Sequence, residues 1–177
     1  MVDLFSQAIK KDKRLIKLKK MISAGAFAID TERHILELKT MLTTRKIRRL
    51  QYKDVVSHQQ KYIIEAALQN QASRSRSVEI KTECNKITMT LSNTLRDLSN
   101  YLKVKYKHLM ITSGYKNVSS QKEAINTSFI FIQRHIDRIN IVEKICDMLI
   151  EDIDKSGFLI KALIDVLSIN VRGKFDV

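Results

Sequence analysis

The chain has 177 residues, about one domain's worth, and 44% of them are hydrophobic, enough for a core and too many for a disordered tail. It has no proline, no tryptophan and four glycines, too few chain-reversing residues for turn-rich all-β or α/β folds. Lys and Arg number 32 against 19 Asp and Glu, and the net charge of +13 points to a polyanionic partner, either nucleic acid or an anionic membrane surface.

The first predicted element runs from Asp3 to about Ile22. Leu4, Ala8, Leu15, Leu18 and Ile22 fall on one helical face, and Lys10, Lys13, Arg14, Lys17 and Lys20 fall on the opposite one. Gly25 supplies a break. A second helix is predicted from an Asp30 N-cap towards Gln71, with Ile35, Leu38, Leu42, Tyr52, Val56, Ile63 and Ala66 on a heptad that Arg45, Arg49 and Gln59 interrupt. The polar run Gln71 to Ser77 reads as a turn or solvated joint. From Ser77 to about Ile111 the period sharpens through Cys84, Ile87, Leu91, Leu95, Leu98, Leu102 and Leu109. Thr112 to Ser119 reads as a loop, and Ser120-Gln121-Lys122-Glu123 as a capping box. The helix it opens carries Ile125, Phe129, Ile132, Ile136, Ile139, Cys146, Ile150 and Ile153 on a stripe broad enough for burial in a bundle or oligomer. Phe158 to Ile169 either continues that helix or forms a short fifth one. The predicted fold is all-α: four to five long amphipathic helices in an antiparallel bundle or coiled-coil-like arrangement that oligomerises through its C-terminal helices.

Charge divides the chain. Residues 1–110 carry 23 basic and 10 acidic side chains, and residues 111–177 carry nine of each. The first stretch is therefore a candidate nucleic-acid-binding region and the second a candidate oligomerisation region. Cys84 and Cys146 sit on apolar helical positions without metal-type or redox spacing, as reduced core thiols do. The start Met-Val-Asp-Leu-Phe-Ser has no basic segment leading into an apolar one, and no 18-residue uncharged stretch occurs, so a soluble, cytoplasmic protein is expected.

Catalytic apparatus is missing from the pattern. His34, His58, His108 and His135 have no second ligand at helical spacing, and there is no P-loop, Gly-x-Gly-x-x-Gly or Gly-x-Ser-x-Gly. No enzyme, no metal and no cofactor is expected. The basic clusters carry more. Arg45, Arg48, Arg49 and Lys53 share a helical face beside Tyr52, and the arginine fork suits phosphate oxygens. Tyr101, Lys103, Lys105, Tyr106 and Lys107 interleave positive charge with aromatic rings, the recipe for gripping single-stranded nucleic acid through phosphates and stacked bases.

Two segments resemble a known family. Ser156-Gly157-Phe158-Leu159-Ile160-Lys161-Ala162-Leu163-Ile164-Asp165 is similar to the C-terminal signature of the T4-type phage recombination mediators, the UvsY family, with Ser156 where that family carries Arg. Leu102-Lys103-Val104-Lys105-Tyr106, followed by Thr112-Ser113-Gly114, is similar to its Leu-Lys-x-Arg/Lys-aromatic run before a Thr-Gly turn. The resemblance spans roughly residues 100–166. It implies a non-enzymatic accessory protein of recombination, DNA repair and replication. Such a protein forms a homo-oligomer, holds single-stranded DNA and helps a RecA-like recombinase displace the single-strand-binding protein. By position, Lys103 and Lys105 take the DNA-contacting role, and Gly157, Phe158, Ile160 and Ile164 take the assembly role; Ile150 and Ile153, on the broad apolar stripe ahead of that segment, are also candidates for assembly. The alternative is a membrane-associated or structural helical assembly protein that lays its basic N-terminal half on anionic lipid.

Overall fold

The computed structural model of the chain describes residues 4–45 and 60–172. Seven helices occur among the described residues: α1 (Leu4–Lys10), α2 (Lys13–Ser23), α3 (Thr31–Thr44), α4 (Gln60–Lys105), α5 (Lys107–Thr112), α6 (Val118–Ser128) and α7 (Ile130–Arg172). The fold is all-α, as the composition requires. Contacts group the residues into two compact units, Met1–Asp30 with Cys84–Ile141 (unit 1) and Thr31–Glu83 with Val142–Val177 (unit 2), and the long helices α4 and α7 contribute to both.

Local chemistry sets the helix ends. The expected first helix is two: Asp12 interrupts it and caps α2, its Oδ1 accepting from the backbone N–H of Arg14 at 2.9 Å and of Leu15 at 3.4 Å. Gly25 (φ +81°) and Gly114 (φ +93°) terminate α2 and α5 in the left-handed conformation that glycine adopts without strain. Each is followed by the six-residue closing bond of a Schellman turn, Ala26 N–H to Met21 C=O and Tyr115 N–H to Met110 C=O, both 2.9 Å.

Two other expectations are corrected. The polar run 71–77 is not a joint but lies inside α4, where Ser73 and Ser77 are buried. The Ser77 hydroxyl donates to the Ser73 carbonyl at 2.8 Å, so its polarity is satisfied within the helix and the small side chain lets neighbours approach. The capping box at Ser120 gives way to an Asn117 cap, whose Oδ1 accepts from the Ser120 N–H at 2.7 Å and opens α6 three residues earlier. Of the two alternatives left open for Phe158 to Ile169, the helix continues: α7 runs through Ser156-Gly157.

In unit 1, α1 packs against α2, α5 and α6. Phe5, Ile9, Leu15, Leu18, Leu98, Leu102 and Ile132 are among its buried side chains, each worth roughly 1.5–3 kcal/mol on removal from water. In unit 2, the α4 and α7 segments run antiparallel, since rising numbers on one meet falling numbers on the other. Ile63 and Ala66 cluster with Ile160, Arg74 pairs with Asp154, and Lys81 pairs with Asp147. Cys84 and Cys146 are buried thiols. Among the described residues no helix is long and apolar enough to cross a membrane.

Candidate nucleic-acid interface

The C-terminal end of α4 and the start of α5 bring Tyr101, Lys103, Lys105, Tyr106 and Lys107 together, as their sequence spacing implies. What the sequence did not reveal is the element they meet. The Asp12 carboxylate, fully enclosed, accepts from Lys105 Nζ at 2.7 Å and from the Tyr106 hydroxyl at 3.0 Å through Oδ2, while Oδ1 caps α2. Burial pushes this carboxyl up, but the bonds from Lys105, Tyr106 and the two backbone N–H groups outweigh it and hold Asp12 below the ordinary carboxylate range. The same contact with Asp12, helped by Tyr101 and Tyr106, raises Lys105 above the usual lysine range, so it stays charged at any physiological pH.

The aromatic rings are already engaged with cations. Arg14 Cζ lies 4.0 Å from the Tyr101 ring centre, and Lys105 Nζ lies 5.2 Å from Tyr101 and 4.9 Å from Tyr106. Phe5 meets Tyr106 and Tyr115 edge to face, with centroids 6.5 and 5.5 Å apart. The two tyrosines thus anchor α2 and display its cations beside Lys103 and Lys107; they are half-buried struts rather than bare stacking platforms. Arg14, whose helical face already stood out as basic, belongs to this cluster. Asp12 was visible only as an acid in a basic run.

Exposure completes the surface. Lys10, Lys11, Lys13, Lys17 and Lys20 from α1, α2 and the turn between them, and Lys107 from α5, are exposed, and Lys103 is half-exposed. None of these seven is in an ion pair among the described residues. The apolar face of α2 is buried in unit 1 through Leu15, Leu18 and Ile22.

The other predicted residues lie elsewhere. Arg45 is not on a basic solvent face: it is 1% exposed inside unit 2, donating to Asn70 Oδ1 at 3.1 Å, to Asp152 Oδ2 at 2.5 Å and to the Ser156 hydroxyl. That network serves packing, and its N–H groups are turned away from water. Arg48, Arg49 and Lys53, expected beside it, lie outside the described residues. Of the residues assigned to assembly, Ile153 and Ile160 are buried within unit 2 and Ile150 is half-buried. Phe158 is 78% and Ile164 47% exposed, with Leu159 and Val166 exposed near them, and Gly157 lies exposed in mid-helix.

Among the described residues, no group of three or more His, Cys, Asp or Glu side chains is placed to hold a metal ion. No protein-family model matches the chain, and no curated protein or solved structure matches it either.

Proposed function

We propose that the chain is a non-enzymatic single-stranded DNA-binding protein that grips phosphates through unit 1 and assembles through the exposed apolar residues of α7. The observation that carries this reading is the charge of unit 1: 16 basic side chains against 6 acidic ones, +10 of the chain's +13. Cations held on helices without acid partners release counterions from a polyanion at little reorganisation cost. Each unit binds weakly alone; several copies that share one strand convert later contacts into intramolecular ones. Phe158 and Ile164, aligned with the UvsY-like segment, are the residues for that assembly.

By the same resemblance the setting is cytoplasmic, phage-type recombination, in which the assembly helps a RecA-like recombinase onto DNA covered by single-strand-binding protein. Lipid binding is the less favoured reading, because an interfacial helix buries its apolar face among acyl chains, and that face of α2 is already packed against protein.

Fluorescence anisotropy with 20- to 30-nucleotide single strands and matched duplexes, across a salt series, tests the reading. Binding of the single strand should weaken with a log–log salt slope of roughly 0.7 per phosphate contacted. Mass photometry of the same sample should show oligomers. A monomer that ignores both oligonucleotides in dilute buffer, or sediments only with anionic vesicles, overturns it.

A further inference from the structure

Beyond the Tyr101 cluster, unit 1 contains an open groove of about 890 Å³ between α4, α6 and the start of α7. Resting on the function proposed above, we infer that this groove is the seat for unpaired nucleotides, taking bases as well as phosphates. Its two helical walls carry similar chemistry. On α4, Arg96, Asn100 and Lys103 follow at i, i+4 and i+7 and so share a face, with about 10 Å from first to last at 1.5 Å per residue. On α6, Lys122 and Asn126 follow at i and i+4. The α4 wall thus offers two cations flanking a carboxamide and the α6 wall one of each, and the lining adds an apolar floor that includes the nearly buried Phe129 and Ile136. Glu123 is the single acid along the lining, against three cations.

This chemistry selects its occupant. Arg96, Lys103 and Lys122 form no ion pair among the described residues, so they are available to phosphates. A carboxamide both donates and accepts, which fits the mixed edge of an unpaired base. An apolar floor gains from a base or sugar and nothing from a phosphate. The volume lies at the upper end of the roughly 300–1,000 Å³ typical of ligand sites, too large for a single inorganic anion. In a duplex the base faces are stacked and the pairing edges taken, so only a single strand uses walls and floor together.

The test compares a dT 12-mer with an abasic 12-mer of the same backbone, by anisotropy on the full-length protein. The wild type should hold the dT strand at least tenfold tighter. Arg96→Glu with Lys122→Glu should weaken dT binding tenfold or more and bring the two strands to similar affinity. Lys13→Glu with Lys17→Glu, on the α2 face outside the groove, should weaken both strands alike and preserve their ratio. Arg96→Gln with Lys122→Gln, checked by far-UV circular dichroism, guards against misfolding and should show the same trend at smaller amplitude. Equal affinity for dT and abasic strands, or a groove variant that behaves as the α2 variant does, overturns the groove while leaving unit 1 a phosphate-binding surface. A wild type that binds neither strand removes both.

Discussion

The two units hold the same number of cations and use them oppositely. Each has 16 Lys and Arg, but unit 1 has 6 acids and unit 2 has 13. In unit 2, Arg45, Arg74, Arg76, Lys81 and Lys155 all reach carboxylates. In unit 1, among the described residues, Lys105 to Asp12 is the single ion pair. Positive residues therefore tie separate elements together in unit 2, Lys155 excepted since it pairs with Glu151 on its own helix, and remain a surplus in unit 1. The number of basic residues does not separate a structural from a binding role; the supply of acids within reach does.

The sharpest break in this contrast is Arg45→Ala. It leaves Asp152, Asn70 and the Ser156 hydroxyl without their guanidinium and opens a cavity in unit 2. Loss of about 3 kcal/mol is expected in urea unfolding, the low end of the cost of removing one partner from a buried pair because Asp152 is 37% exposed. Single-strand affinity of the folded variant should be unchanged, since the side chain never faces a ligand. A stable variant with weakened DNA binding would return Arg45 to the phosphate surface.

Next in size is Phe158→Ser with Ile164→Ser. Both side chains are largely exposed, so stability should barely move, while the oligomer dissociates and avidity falls on the order of a hundredfold. Mass photometry and anisotropy read the two effects separately. Oligomers that persist would place assembly elsewhere on the chain.

Asp12→Asn breaks the Asp12–Lys105 ion pair of unit 1. The smaller loss of the charged cap and its bonds should cost about 1–2 kcal/mol. Because the folded carboxyl lies below its unfolded value, the unfolded chain binds more protons in acid. The wild type should therefore lose stability as pH falls below about 5, through the unfolded carboxylate value near 4 and on down through the lower folded value, and the variant should lose less over that window. Glu37, held low chiefly by its bond from Arg76, contributes with the same sign in unit 2 and persists in the variant.

The fold class was legible because proline is absent and the apolar periods are long. The finer boundaries were legible only where a single residue dictates them, as Gly25 and Gly114 do. Ser73 and Ser77 read as solvent-facing because hydropathy counts a hydroxyl as polar, whereas Ser77 satisfies its own within the helix. Arg45 read as a phosphate ligand because its acid and hydroxyl partners are 107 and 111 residues away, beyond any local pattern. The aromatic–basic cluster was found from spacing alone, but its tether to Asp12 and Arg14 joins helices 93 residues apart in sequence. Burial inverts the meaning of a charged residue, and burial is set by distant partners.

The smallest expected effect is the most discriminating. Asp154→Asn and Asp12→Asn each raise the net charge by one and each release a cation, Arg74 in unit 2 and Lys105 in unit 1. The Arg74 pair is half-exposed on both sides, so water and salt already screen it and the fold should not notice its loss. If any added charge strengthened binding, both substitutions would steepen the salt dependence equally. If phosphates track unit 1, only Asp12→Asn should do so, by about 0.7 in the log–log slope for the one additional contact from Lys105, and Asp154→Asn should superimpose on the wild type. Measuring the two slopes side by side separates a located interface from a diffuse positive charge, and equal slopes would reduce the contrast between the units to packing alone.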